Sequence, residues 1–420
     1  MRTRALLTAL TLAAAPLTAT AVVPAAAARG TDRQIAYTAW DTSGALAAGR
    51  AQDVRVVRGT VRLADPDRTT RYAGSTWERG TWTSPWVSPG FAFTELVPSW
   101  EARTPAGTFV QVEVRGRSAG GTRSSWDGLG RWASYDTGFR RTSLGSQSDD
   151  LGTVATDTWR VRGLTQWQVR ATLLRKAGTT ASPRLDAVGA MVSRLPATSG
   201  VATSTPGAAA GTVLAVPTYS QMVHQGHYPQ WGGGGQAWCS PTSLAMVLGY
   251  YRALPSTEET AWAGDHAFRV VDHLARSTYD YGYRGTGNWP FNTAYAATRV
   301  QQAFVTRLAS LRDVERFIAA GIPVVASISF GSGELRGAPI SSTNGHLLVV
   351  VGFTASGDVV VNDPAADPRQ GEDVRRVYDR GAFEDVWLRR GTAAGGSGGL
   401  VYVVRDAAHP LPARQGVTRW

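Results

Sequence analysis

The chain of 420 residues contains one cysteine, Cys239. A lone thiol cannot close a disulfide within its own chain, so the fold must be held by buried apolar area. Length allows this, because about 390 residues suffice for two hydrophobic cores. Lysine is equally scarce: of 43 basic residues, Lys176 is the single lysine. That arginine bias reads as codon usage rather than as function. The net charge is +11, and a basic surface favours an anionic partner such as a cell-wall polymer. No block of five or six like charges occurs, which argues against nucleic acid as a partner. No later segment holds about 18 uninterrupted apolar residues, so stable membrane insertion is not expected.

What is present begins with "MRTRALLTALTLAAAPLTATAVVPAAAARG": two arginines, an apolar run and small residues. This is the layout of a secretory signal peptide over 1–28, cleaved near Ala28. Pro16 and Pro24 break the run and argue against a spanning helix. Cleavage removes Arg2 and Arg4 and no acid, lowering the net charge by two, from +11 to +9. A secreted protein, extracellular or cell-wall associated and monomeric, is expected.

The chain divides at "LPATSGVATSTPGAAAGTV" (195–213), which has neither charge nor periodicity and reads as a protease-sensitive linker. Residues 33–194 alternate with period two. Val110, Val112 and Val114 alternate with Gln111, Glu113 and Arg115, and Trp159 and Val161 with Arg160 and Arg162. One wet and one buried face per strand predicts antiparallel sheets, a β-sandwich or jelly roll. Nine of the fifteen tryptophans fall in this half. Trp159 and Trp167 read as core. Trp82, Trp86, Trp100 and Trp126 lie in loop-like sequence and are candidates for a surface that stacks on sugar rings of a glycan. Residues 214–405 place helical spacings ("PTSLAMVLGYYRAL", "LRDVERFIAAG") ahead of short β-branched runs ("IPVVASISF", "HLLVVVGF", "DVVVND", "GLVYVVR"), which predicts an α+β domain.

Cys239 follows a glycine tract and precedes the first of these helices. Ser240 is placed to cap it and Pro241 to open it, leaving Cys239 just outside the N-terminus. The unpaired N–H groups and the positive dipole end there favour a thiolate. The glycines permit close approach of another chain's backbone. A small buried apolar residue is the alternative role for the cysteine. His346 stands just ahead of one strand and Asp363 at the end of the next, joined by "ASGD". Cysteine, histidine and carboxylate in this order suit a nucleophile, its base and the group that orients the base. A regular two-residue turn, however, sets Asp363 opposite residue 350, about four residues from His346. That is too far without a bulge, a bend or a longer excursion. Asn362 and Asp367 therefore stay open as partners.

In order along the chain, "VPTYSQ", "WCSPTSLAMVLGYY", "NGHLLVVVGF" and "VVVNDPAA", with "FEDVWL" and "GLVYVV" behind them, resemble the C39-like group of papain-like cysteine peptidases. The resemblance covers about 214–405. It implies a papain-like fold, no cofactor, a peptide or protein substrate and attack of a thiolate on an amide carbonyl. It also implies a glutamine that stabilises the oxyanion: Gln221 from "VPTYSQ", or else Gln236. Two features depart from the family pattern: Ser240 after the cysteine, and the long insert between Gln221 and Cys239. "YRGTGNWPFN" (283–292) and its surroundings suggest Trp238, Asn288 and Trp289 as cleft-lining residues. His224 and His227 ("HQGHY") lack further ligands at metal spacing and read as loop residues, so no metal site is expected. A thiol amidase or acyltransferase acting on cell-wall peptides is the alternative activity, and a non-catalytic binding protein the alternative role.

Overall fold

The computed structural model describes residues 33–149, 151–196, 201–389 and 396–413. The expected signal peptide lies outside them. Among the described residues the N-terminal half builds two seven-stranded antiparallel sheets. The first runs Gly152–Ala155, Thr158–Leu164, Phe93–Arg103, Arg184–Arg194, Thr60–Leu63, Val54–Val57, with Gln34–Trp40 also pairing Arg184–Arg194. The second runs Thr142–Ser143, Asp127–Trp132, Thr108–Arg117, Gln166–Lys176, Ser75–Thr83, Arg50–Gln52, with Arg68–Tyr72 on Ser75–Thr83. Side chains of both sheets meet in one cluster that includes Val110, Val112, Val114, Trp159 and Trp167, as period-two alternation requires.

Two of the tryptophans expected at the surface belong to this core. Trp82 and Trp100 are 0% and 1% exposed, and the Trp82 indole donates to the Leu46 carbonyl at 2.8 Å. Glycine and proline neighbours make their sequence look like loops, yet both lie on long strands. Trp86 and Trp126 are half-buried, but guanidinium groups cover their rings. Arg117 lies 4.3 Å from the Trp86 ring, and Arg115 and Arg170 lie 4.4 and 4.3 Å from the Trp126 ring. Stacked cations occupy the faces that a sugar would need.

The C-terminal half is a six-stranded antiparallel sheet in the order Gln302–Arg307, Leu400–Arg405, Val324–Phe330, Thr343–Phe353, Val359–Asn362, Arg375–Tyr378. The helix Cys239–Tyr250 packs on it and is buried from Ser240 to Leu248. Ser243 Oγ donates to the Leu347 carbonyl at 3.1 Å, fixing the helix to the strand that carries His346.

The two halves share their cores. Phe291 and Ala294, from the helix Trp289–Ala296, pack inside the sandwich cluster, and the Phe291 ring meets Trp100 edge-on at 6.0 Å. In the other direction Tyr37 stacks on Phe304 at 4.4 Å. Arg141, 1% exposed, donates to the carbonyl of Arg276 at 2.7 Å, and Arg276 forms a fork with Asp136 at 2.8 Å for both bonds. Nor is the described part of 195–213 a free tether. Thr212 and Leu214 bond the backbone of Phe353 and Val351 at 2.8 Å each, and Ser204 N–H reaches Glu384 at 2.7 Å. Gly352 makes this approach feasible, since a Cβ there would lie 2.2 Å from the Thr212 carbonyl oxygen. Such bonding opposes the easy separation expected of a linker. A fragment starting at residue 214 should therefore lose its cooperative thermal transition. Phe291→Ala in the whole chain should cost about 3 kcal/mol, read from denaturant unfolding. A fragment that melts like the intact chain would show the shared core to be dispensable.

Candidate active site

Three consecutive glycines, Gly232, Gly233 and Gly234, hold φ of +76°, +97° and +106°, a left-handed path that disfavours residues with a Cβ. Gly235 then lies against the chain itself: a Cβ there would meet the His224 carbonyl oxygen at 2.1 Å. The close approach expected of another chain's backbone is made here by His224 of this same chain. The loop delivers Cys239 as the first residue of its helix. Ser240 is not the cap. Its hydroxyl pairs with Tyr402 Oη at 3.0 Å in the core, and Trp238 holds the cap position without a side-chain bond. Pro241 is accordingly the helix's third residue, not its first. First-turn N–H groups have no partner within a helix, and that of Ser240 bonds the Cys239 sulfur, as does the Leu347 N–H.

His346 lies on the strand Thr343–Phe353, buried at 3% exposure. It bonds Cys239 on one side, and on the other its Nε2 stands 2.8 Å from Asp363 Oδ1. The hairpin contains the irregularity this requires. The loop pairs Thr354 with Asp358, one residue wider than the regular turn. A bulge between Val350 and Gly352 adds a second shift, so that Val349 faces Asn362. The next residue, Asp363, is thereby two positions from His346 instead of four, and on the same face.

The other two carboxylate-side candidates are occupied elsewhere. Asn362 donates to the carbonyls of Val216 and Pro217 at 3.3 and 3.0 Å and accepts from Arg375 at 3.0 Å. Asp367 caps a short turn through Arg369 N–H at 3.0 Å and pairs with the Arg369 guanidinium at 2.9 Å.

Asp363 is 1% exposed. Burial pushes its carboxyl up. The His346 charge and hydrogen bond, the Ala365 N–H at 3.0 Å and the Tyr378 hydroxyl at 2.8 Å outweigh that and hold it below the ordinary range. For His346 burial alone would favour the neutral ring, but Asp363 and Cys239 raise it to about 10. For Cys239 burial opposes ionisation, while the His346 bond and charge and the two N–H groups bring the thiol below its usual value. These directions favour a thiolate–imidazolium pair backed by a carboxylate.

The glutamines differ. Gln221 is 5% exposed. Its backbone N–H bonds the Pro364 carbonyl at 2.9 Å, next to Asp363, and its Nε2 donates to the Gln236 carbonyl at 2.7 Å. The Gln236 side chain is exposed and braces the glycine loop, donating to the Gly233 carbonyl at 2.7 Å and accepting from Gly226 N–H at 3.3 Å. Two expected cleft residues are internal instead. Trp238 is fully buried, with its indole on the Trp231 carbonyl at 2.6 Å. Asn288, 1% exposed, caps the helix Trp289–Ala296 and bonds Asp280 at 2.9 Å. Their neighbour Trp289 stays partly exposed.

Against known families, residues 36–193 match the Peptidase C39 N-terminal domain and residues 213–395 match the Peptidase_C39 like family. Together the two matches support a C39-like peptidase domain preceded by the N-terminal domain of such peptidases. No curated protein matches the chain. Among solved structures, one from work on promiscuous carbohydrate-binding modules of the β-sandwich superfamily aligns at 10% identity. It covers 36% of this chain and 55% of that one with a TM-score of 0.15, too slight a likeness to argue from.

The match supports a cysteine peptidase-type function for the C39-like domain. Among the described residues no helix is long and apolar enough to cross a membrane. Three residues at or near the site escaped the sequence reading. Tyr378, on the last strand of the sheet, has no motif to mark it. Asp157 sits on a hairpin of the N-terminal domain, accepts from Trp289 N–H at 2.9 Å and is pushed by burial to about 6. Tyr283, 52% exposed, lies within electrostatic reach of both Asp157 and Cys239. If His346 holds the thiol down, alkylation of Cys239 by iodoacetamide should be near its plateau by pH 7. In His346→Ala the rate should instead climb through the ordinary thiol range near ~8.5. A wild-type rate that also climbs there would mean that no ion pair forms.

Proposed function

We propose that the protein is a secreted cysteine peptidase with a papain-like C-terminal domain, acting through Cys239, His346 and Asp363. The observation that carries this reading is the continuous chain of contacts from the Cys239 sulfur through the His346 ring to the buried Asp363. The Cys239 thiolate attacks a peptide carbonyl, and the new C–S bond leaves a tetrahedral oxyanion. His346 passes its proton to the departing amine, the C–N bond breaks and a thioester remains. Water, deprotonated by His346, then attacks the thioester and returns the thiolate. Asp363 keeps the ring oriented and supports its positive charge without giving up a proton.

For the oxyanion we assign Gln221 over Gln236. Gln221 is buried beside the Pro364 backbone, and only one of its two side-chain N–H bonds is used on the Gln236 carbonyl. Gln236 spends its amide on the loop. The N-terminal domain contributes Asp157 to the cleft side. The observed guanidinium cover on Trp86 and Trp126 favours an anionic cell-wall polymer over a neutral glycan as any ligand of that face.

Variants test the roles against casein-like peptides and purified peptidoglycan in parallel. Cys239→Ala should abolish turnover. Asp363→Asn should lower it by roughly 100-fold, because asparagine still accepts from the ring but loses the charge, and Asp367→Asn should change it little. Gln221→Ala should cost about 3 kcal/mol of transition-state stabilisation, against little for Gln236→Ala. A silent Asp363→Asn beside a crippled Asp367→Asn would sink the assignment. Release of products from peptidoglycan alone would point to the cell-wall amidase alternative.

A further inference from the structure

The loop between Gln221 and Cys239 carries a second cluster of chemistry-bearing side chains, apart from the triad. Three of the six histidines meet there around one carboxylate. His224 and His227 lie on the loop, His266 lies on the segment before the helix Val270–Thr278, and Asp272 lies in that helix's first turn. His224 and Asp272 are fully buried, whereas His227 and His266 keep 32% and 27% side-chain exposure. Asp272 has only these imidazoles as polar side-chain partners among the described residues: His224 Nδ1 at 3.0 Å, His227 Nδ1 at 3.0 Å and His266 Nε2 at 3.3 Å. The 3.0 Å separation from His224 lacks hydrogen-bond alignment. Neither nitrogen of His224 is hydrogen-bonded, and Asp272 Oδ2 accepts from none of the three.

Two fully buried polar groups left in that state are costly. A buried carboxylate also needs a compensating positive charge. His266 adds a constraint of its own, because Nδ1 and Nε2 lie 3.0 Å from the carbonyls of Ala267 and Ala263. A neutral ring has one N–H and cannot donate to both. If Nδ1–H goes to Ala267, Nε2 presents a lone pair to the cluster. That is the usual second contact of a metal-bound histidine.

We propose that His224, His227, His266 and Asp272 bind one divalent transition-metal ion, with Zn²⁺ as the best match. Bonds of about 2.1 Å at tetrahedral angles set ligand atoms about 3.4 Å apart. The separations of 3.0 and 3.3 Å from Asp272 Oδ2 to His224 and His266 approach that edge, His227 Nδ1 stands 3.0 Å from Oδ1, and one ligand atom from each of the four residues lies within 4.8 Å of the others. Three imidazoles and one carboxylate suit Zn²⁺ or its neighbours and not Ca²⁺ or Mg²⁺. Four protein ligands close the coordination shell, which makes the ion structural. The half-exposed side of His227 and His266 is its route in. The ion would pin the glycine-rich loop to the helix Val270–Thr278. This proposal stands on the cluster alone and is independent of the peptidase reading.

The test uses the mature chain purified without a histidine tag, stripped with chelator and titrated with Zn²⁺ and Co²⁺ against a chromophoric competitor. One ion per chain is expected, with the intense visible bands of tetrahedral cobalt and a Tm that rises with Zn²⁺ and falls with chelator. His227→Gln/His266→Gln, altered at the two part-exposed ligands, should lose roughly 100-fold or more in affinity together with the Tm response. His227→Gln alone, a milder change, should weaken binding by a smaller factor. Failure of the stripped wild type to take up a stoichiometric ion would overturn the proposal and leave a proton-bridged histidine–aspartate cluster. Undiminished binding by either variant would overturn it as well, since the ion would then sit elsewhere.

Discussion

The candidate site depends on keeping one charge, that of Asp363, inside the protein. A carboxylate that is 1% exposed is tolerable only when its oxygens are answered by donors and by a cation. The answers come from separate places: the His346 ring from the neighbouring strand, the Tyr378 hydroxyl from the edge strand and the Ala365 N–H from the turn that follows. The Asp363 N–H is itself fixed by the Val374 carbonyl at 2.8 Å. Each contact needs the sheet in one register. A slip of one residue would turn Asp363 to the opposite face and leave its charge unpaired. The bulge in the hairpin is therefore a condition of the site. It also explains Gly352 beside it, where the backbone of 212–214 docks on the same strand and leaves no room for a side chain.

The order cysteine, histidine, carboxylate could be read from the sequence because each residue borders an element with a strong local pattern. The register could not. Period two marks Val359–Asn362 as a strand but is blind to an extra residue opposite it, and at the bulge the run Val350, Val351 offers only the following Gly352 as a local sign. Local rules misled in a similar way at Ser240. A serine before Pro241 at a helix start reads as a cap, but Tyr402, 162 residues away, claims its hydroxyl. Trp238 and Asn288 failed as cleft residues for the opposite reason. Aromatic and amide groups in glycine-rich sequence resemble a binding loop, whereas the chain uses them to hold that loop from inside.

The sandwich half was legible as a class of structure, and its tryptophans were legible only where alternation was clean. Trp159 and Trp167 follow that alternation, but Trp82 and Trp100 sit beside residues that usually end strands. Least legible was the partnership of the two halves. Phe291 fills a hole over Gly130, where a Cβ would come within 2.9 Å of its ring, and no local pattern connects positions 130 and 291. The same contact places Asp157 at the amino end of the helix Trp289–Ala296. The packing of the two halves is thus one problem: the accessory domain cannot be removed without unpacking that helix and freeing its first N–H from Asp157.

Both clusters of reactive side chains hang on the same loop. Residues 225–238 contain five glycines, and ordering such a segment costs more backbone entropy than ordering any other composition. Its aromatic residues offset part of this. Trp231 and Trp238 are buried, while Gly233, Gln236 and Ala237 face solvent. The loop nevertheless has to present Cys239 to His346 and bring the Gln236 carbonyl to the Gln221 amide, because a thiolate reacts only where its donors already stand. Hydrogen bonds from Gln236 brace one end. At the other, His224 and His227 reach Asp272 on a helix that belongs to the rigid core. Whatever neutralises Asp272 therefore also sets how firmly the cysteine is held, which links a histidine cluster with no place in the chemistry to the geometry that the chemistry requires.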